Sequence, residues 1–207
     1  MKIAVIGANG QVGSLVVKEA QRRNIDVTEI VRAKEKANTE KYLVKDVYEL
    51  TTDDVKNFDV VVDALGFRGE KVSEFLPSTD YLIKIFTGLK TRLIVVGGAG
   101  SLFTNKEHTQ TLSQGADFPE SFLPLANAMG MALEIIKQSQ NVNWTYISPA
   151  ADFSPEYEAT GKYVIAGEEF TVNENGESKM SYADYALALV DEIENNKYEM
   201  QRISVRW

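Results

Sequence analysis

The sequence predicts an α/β protein: a doubly wound, mostly parallel sheet with helices on both faces and a small C-terminal α+β extension. Three observations lead there. Short, wholly apolar runs recur along the chain, the pattern of strands covered on both faces. Stretches with a 3.6-residue apolar period separate them. After Pro149 this alternation gives way to short β-rich runs and turns before one last helix.

The elements follow in order. Ile3 to Ile6 is the first buried strand. From Val12 the period changes: Val12, Leu15, Val16 and Ala20 share one helix face, and Asn24 is placed to end that helix in a left-handed conformation. "DVTEIVR" (Asp26 to Arg32) reads as the second strand and "KYLVKDV" as a shorter third. "FDVVVDALG" (Phe58 to Gly66) is a further buried strand, "TDYLIKIFTGLK" is helical by spacing, and "RLIVVGGAGS" (Arg92 to Ser101) is a strand with a glycine-rich end. Leu125, Ala128, Met129, Ala132 and Ile136 form the stripe of another helix, and "NWTYISPA" is a strand stopped by Pro149. Beyond it, Asn175-Gly176 marks a turn. Ser181 and Asp184 form an S-x-x-D cap ahead of a helix striped by Ala186, Leu189, Val190 and Ile193, and "RISVRW" is a final strand. The polar segment from Leu102 to Pro124 reads as a surface loop or lid. No linker rich in Gly, Pro or Ser divides the chain, so residues 1–207 form one domain, with residues 150–207 as a small substrate-side extension.

Composition removes several classes. With no cysteine and one histidine among 207 residues, there are too few ligands for a zinc site and none for a disulfide scaffold. The net charge of -8 argues against a nucleic-acid binder. No apolar run nears the ~18 residues of a membrane helix. The start "MKIAVIG" lacks a signal-peptide pattern, and together with the missing cysteines this suits a cytoplasmic protein. No G-x-S-x-G occurs, so a serine-hydrolase reading fails.

The informative motif is "GANGQVG". Gly7, Gly10 and Gly13 directly follow a strand and open a helix, at the head of a βαβ unit. Gly7 would permit the sharp turn. Gly10, with Asn9, Gln11 and Val12, would meet a pyrophosphate at the helix N-terminus, where unpaired N–H groups and a partial positive charge favour an anion. Gly13 would let the helix lie close to the strand. The alternative is a tight turn with no ligand. At the end of the second strand an NAD site would offer Asp or Glu to the ribose. Arg32 stands there instead, and a guanidinium suits a 2′-phosphate, so NADP(H) is favoured over NAD(H).

In open α/β sheets the ligand lies beyond the carboxyl ends of the strands. On that ground Asp46 and Val47 are placed to reach adenine. Ala64, Leu65 and Gly66 are placed beside the ribose, with Phe67 and Arg68 as a possible cover. Gly97 and Gly98 are assigned to the nicotinamide half, and Pro149 and Ala150 to its ring. At all of these positions ordinary strand-ending turns are the competing explanation. Ser101 could donate a hydrogen bond to a substrate carbonyl, or serve only as a turn hydroxyl. His108 could shuttle a proton, or be a solvated surface residue.

Together "GANGQVG", "DALG", "VVGGAGSL", "ISPAADF" and "GESKMSYADYALALVDEI" resemble the NmrA-like, atypical short-chain dehydrogenase/reductase group over almost the whole chain. The resemblance is strongest to its NADH-flavin reductase branch, which is similar to biliverdin reductase B. It implies a Rossmann fold, bound NAD(P), and reduction of flavins or quinones, with flavin as a substrate rather than a prosthetic group. One departure matters. Conventional members use Tyr-x-x-x-Lys as an acid pair, and none of the nine tyrosines here has lysine four residues on. Asn127 and Met129 occupy the helix where the tyrosine is expected. Two functions therefore compete: reduction of a planar acceptor by direct hydride transfer, or a non-catalytic NADP(H)-binding redox sensor. The sequence does not reveal the oligomeric state.

Overall fold

The computed structural model describes residues 1–207. In chain order the elements are β1 (Lys2–Ile6), α1 (Gln11–Arg22), β2 (Asp26–Val31), β3 (Tyr42–Val44), α2 (Thr52–Val55), β4 (Val60–Asp63), α3 (Phe75–Phe86), β5 (Arg92–Val96), α4 (Leu123–Gln138), β6 (Trp144–Ser148), β7 (Asp152–Ser154), β8 (Val164–Ala166), β9 (Lys179–Ser181), α5 (Tyr182–Asn195) and β10 (Gln201–Arg206). Eight strands make one sheet in the order β3-β2-β1-β4-β5-β6-β10-β8, and β7 pairs with β9 in a separate ribbon. All pairings in the large sheet are parallel except β10 with β8.

The continuous apolar strands are covered on both faces. Ile3, Val5, Val60 and Val62 enter one core cluster with α1 and α5, while Ala4, Ile6 and Val61 enter the other with α2, α3 and α4. Successive side chains point to opposite faces, so only an unbroken apolar run can serve two cores. Each such side chain contributes roughly 1.5–3 kcal/mol when fully buried.

Helix ends follow local chemistry. Asn24 stops α1 with φ 58°, as its position predicts. The Ser181 hydroxyl accepts from the Asp184 amide and caps α5, which ends at the left-handed Asn196. The structure starts α3 four residues before the predicted "TDYLIKIFTGLK". Pro77 lies in its first turn, where a missing N–H breaks no intrahelical bond. The single-turn α2 and the three-residue β7 carry no periodic signal in the sequence.

Residues after Pro149 are more integrated than an appended extension. β10 lies parallel to β6 within the main sheet, and α5 packs on α1. Only the β7–β9 ribbon and its turns stand apart from the main sheet, one edge strand of which is β8. Gly176 has φ +75° in the predicted turn. The 102–124 segment is anchored: Leu102 is buried, the Phe103 amide donates to Glu168 O (2.9 Å), and the Phe170 amide donates to Phe103 O (2.7 Å).

Candidate functional site

The strand order reverses between β1 and β4: from β1 the chain winds outward to β2 and β3, and from β4 to β5 and β6. A crevice beyond the carboxyl ends at such a switch point is where open α/β sheets bind ligands. The sequence-predicted residues follow these six strands, from the glycine turn after β1 to Pro149 and Ala150 after β6.

The glycine turn has an internal logic. Gly7 has φ +75°, and a Cβ there would stand 2.7 Å from the Ala64 carbonyl oxygen. A Cβ at Gly13 would lie 2.3 Å from the Gly7 carbonyl oxygen, so this glycine lets α1 press against the turn. Gly10 is the N-cap, and its missing Cβ would lie 3.1 Å from the same oxygen. At Gly7 and Gly13 glycine is therefore explained by packing alone. What fits an anion is the helix start itself. Gly10 offers no side-chain cap, the first turn holds no acidic residue, and Asn9, Gly10 and Gln11 are exposed. The amides of Gln11, Val12 and Gly13 precede the first helical donor, the Ser14 amide, and stay available to a diphosphate. These residues fit a dinucleotide.

Arg32 is exposed just past β2 and joins no ion pair, as are Lys34 and Lys36 in the short turn that follows. Nothing in the protein competes for that guanidinium. The residues after β3 differ from expectation. Asp46 caps a 3-10 turn, accepting from the Tyr48 amide while its own amide donates to Glu49. The Val47 side chain is buried in the α3-side core, because the turn folds it inward, so only its backbone remains for a ligand.

Ala64 and Leu65 are half-buried, and Gly66 is open, with nothing within 4 Å of a would-be Cβ. Phe67 packs edge-on against Phe75, so its ring belongs to a small cluster under α3 and α4 rather than to a free cover. Arg68 is exposed. The glycines after β5 are also needed internally. A Cβ at Gly97 would stand 2.2 Å from the Tyr146 ring, and one at Gly98 2.9 Å from Met129 Sδ. The Gly98 amide donates to the Tyr146 hydroxyl at 3.2 Å. Burial pushes that phenol up to about 12, so it stays protonated. Pro149 and Ala150 are buried, Ala150 within the α1–α5 core.

Ser101 is held by a residue the sequence reading missed. Arg202 of β10, whose side chain is fully buried, donates to Ser101 Oγ and to Ser101 O, both at 3.3 Å. The same guanidinium pairs with Glu168, which also takes Lys137 at 3.2 Å. The Ser101 oxygen thus accepts from a cation while its own proton stays free to be donated. Arg202 left no readable signal, being one charge in "RISVRW". His108 lies at the surface with φ 53°, stacked on Phe103 at 4.4 Å and 3.0 Å from Glu169. It helps fasten the 102–124 segment to residues 168–170.

Asp63, the last residue of β4, also escaped notice as a single residue. It is 8% exposed and has no ion pair. Burial raises its carboxyl to about 6, although the Leu65 amide donates to it at 3.0 Å. A broad depression of about 810 Å³ between Thr160–Val164 and Trp207 is lined by none of these residues. No group of His, Asp or Glu side chains has the arrangement to hold a metal ion, and no helix is long and apolar enough to cross a membrane.

Comparison with known proteins places the chain in a family. A family model described as NAD(P)H-binding matches residues 7–196. The uncharacterized protein YwnB of Bacillus subtilis strain 168 is 41% identical over 99% of this chain and 98% of its own length. A crystal structure from Streptococcus pneumoniae TIGR4, named as a candidate NADH-flavin reductase, is 45% identical, covers 100% of this chain and 99% of that one, and superposes with a TM-score of 0.96. An anaerobilin reductase from Escherichia coli O157:H7 shares the fold alone, at 14% identity over 100% of this chain and 97% of that one, with a TM-score of 0.76.

Proposed function

The chain belongs to the NAD(P)H-binding family, and we propose that within it the protein is an NAD(P)H-dependent oxidoreductase reducing flavins, quinones or similar planar acceptors. The observation that carries this reading is the helix start at Gly10–Gly13, uncapped and free of acid beyond β1, in a chain without a Tyr-x-x-x-Lys pair. Bound there, a reduced nicotinamide would supply hydride to the acceptor ring, chemistry that belongs to the cofactor and asks mainly for close stacking and exclusion of water. The first amides of α1 would hold the diphosphate. Arg32 would take a 2′-phosphate, favouring NADP(H). Gly66 and the Gly97–Gly98 turn would border the nicotinamide half, and Ser101, oriented by Arg202, would donate its proton to a carbonyl oxygen of the acceptor. The name of the S. pneumoniae relative supports flavin as the acceptor class.

The test is direct. Purified protein mixed with NADPH and FMN should lower the absorbance at 340 nm at a rate proportional to enzyme. Absence of turnover across flavins and quinones, with NADPH bound, would overturn the enzymatic reading and favour the alternative, a redox sensor of the NmrA kind. The missing acid pair is the observation that keeps the sensor in contention.

A further inference from the structure

Asp63 is a nearly buried carboxyl at the carboxyl edge that no cation accompanies. It is in register with Ile6 on β1 and Val95 on β5. The Leu65 amide donates to Oδ1. Oδ2 receives no hydrogen bond from the protein, yet it is not sealed in like the four enclosed unpartnered atoms, Glu29 Oε1, Asn143 Oδ1, Trp144 Nε1 and Ser148 Oγ. The groups packed around it are uncharged. The glycine turn and first turn of α1 hold no ionisable side chain, and neither do the buried faces of α3 and α4. From β6 the Tyr146 hydroxyl is the titratable group that senses Asp63, and Arg202 of β10 acts on Tyr146, not on Asp63.

The next residue touches the anion cradle, since the Ala64 carbonyl oxygen would be 2.7 Å from a Cβ at Gly7. A diphosphate at the α1 N-terminus therefore brings negative charge close to a nearly buried carboxyl with no compensating cation. We infer that Asp63 couples dinucleotide binding to proton uptake: the cofactor binds best when this carboxyl is neutral, and the proton then lets Oδ2 donate to the ligand. The inference rests on the dinucleotide reading of the site. In the free protein desolvation already lifts the carboxyl to about 6. A negative charge brought near it raises it further; for unit charges about 10 Å apart at an effective dielectric of about 20, the effect on a proton equilibrium is roughly tenfold.

The experiment measures the dissociation constant of NADP⁺ for the wild type and Asp63→Asn between pH 5.5 and 8. Calorimetry in two buffers of different ionisation enthalpy counts the protons taken up. The 2′-phosphate of the ligand titrates in the same range, but equally with both proteins, so the ratio of their constants isolates Asp63. That ratio, wild type over variant, should rise about tenfold across the range, and the wild type should take up more protons per dinucleotide near pH 6.5. A ratio independent of pH with equal proton uptake overturns the inference and leaves the dinucleotide site standing. No binding by the wild type at any pH overturns both. Should Asp63→Asn not fold, proton uptake by the wild type with NAD⁺, which has no phosphate monoester, decides alone: uptake near pH 6.5 supports the coupling and none refutes it.

Discussion

A Cβ at position 13 would stand 2.3 Å from the Gly7 carbonyl oxygen, whereas one at position 10 would stand 3.1 Å away. The first distance forces backbone atoms apart and the second asks for a small adjustment. Gly13→Ala should therefore cost about 2–4 kcal/mol of unfolding free energy, and Gly10→Ala under about 1 kcal/mol, by urea denaturation. Equal costs would show that α1 does not rest on the turn. Ligand chemistry separates these positions the other way: Gly10→Ala should weaken dinucleotide binding in a protein that still folds. Arg32 is a residue-scale determinant of another kind, exposed and unpaired. Replacing it by Asp should weaken NADPH at least tenfold more than NADH, because a carboxylate repels the 2′-phosphate but accepts from a ribose hydroxyl. Titration by nicotinamide fluorescence reads this, and tighter NADH than NADPH binding in the wild type would refute the Arg32 assignment.

At the scale of elements, the large periodic segments were legible because each answers to one strong pattern. β1, β4 and β5 announce themselves as apolar runs, α1 and α5 by stripes and end signals at Asn24 and Ser181. Contacts between distant segments were not legible. Nothing near Ser101 in the chain points to Arg202, 101 residues away. Val47 looked available only because the inward fold of its 3-10 turn depends on a core built by α3. The glycines after β5 were legible as candidate ligand contacts, but not the internal reason for them: Tyr146 and Met129 fill the space their Cβ atoms would take. The cap at Ser181 illustrates the same limit. The sequence marks it, but only the fold shows that Asp184 gathers Thr160, Gly161 and the Trp207 indole as well. Those donors hold its carboxyl below the usual range despite burial. Its folded-state pKa lies below the unfolded one, so the stability it gives is complete above about pH 4 and is lost as pH falls through the folded value. Asp184→Ala should cost about 3–5 kcal/mol at neutral pH and flatten the acid limb of the stability curve, with the tryptophan emission moving to the red as Trp207 loses its partner.

For the whole molecule, the sheet joins its two cores into one folding unit, and the last 58 residues complete it. Ten of the 22 buried residues on the α1 side come from position 150 onward: Ala150 and Met180, six from α5, and Ile203 and Val205 of β10. β10 also covers the outer edge of β6. Two buried charges cross the same boundary. Arg92 at the start of β5 donates to Glu192 Oε1 at 2.8 Å and to the Glu192 carbonyl, and Arg202 reaches back to Ser101. A chain ending at residue 149 would lose the Arg92–Glu192 pair together with those ten core residues, and would expose one face of β1 and β4 to water. Total stabilities of 5–15 kcal/mol cannot absorb both. The truncated protein should therefore show no cooperative thermal transition by circular dichroism and no near-ultraviolet signal. The full chain should melt in a single step seen alike by Trp144, buried on the α3 side, and by Trp207 beside α5. A cooperative melt of residues 1–149 would instead mean that α1 finds enough cover without α5, and that the C-terminal strand and helix are an addition to an already stable sheet.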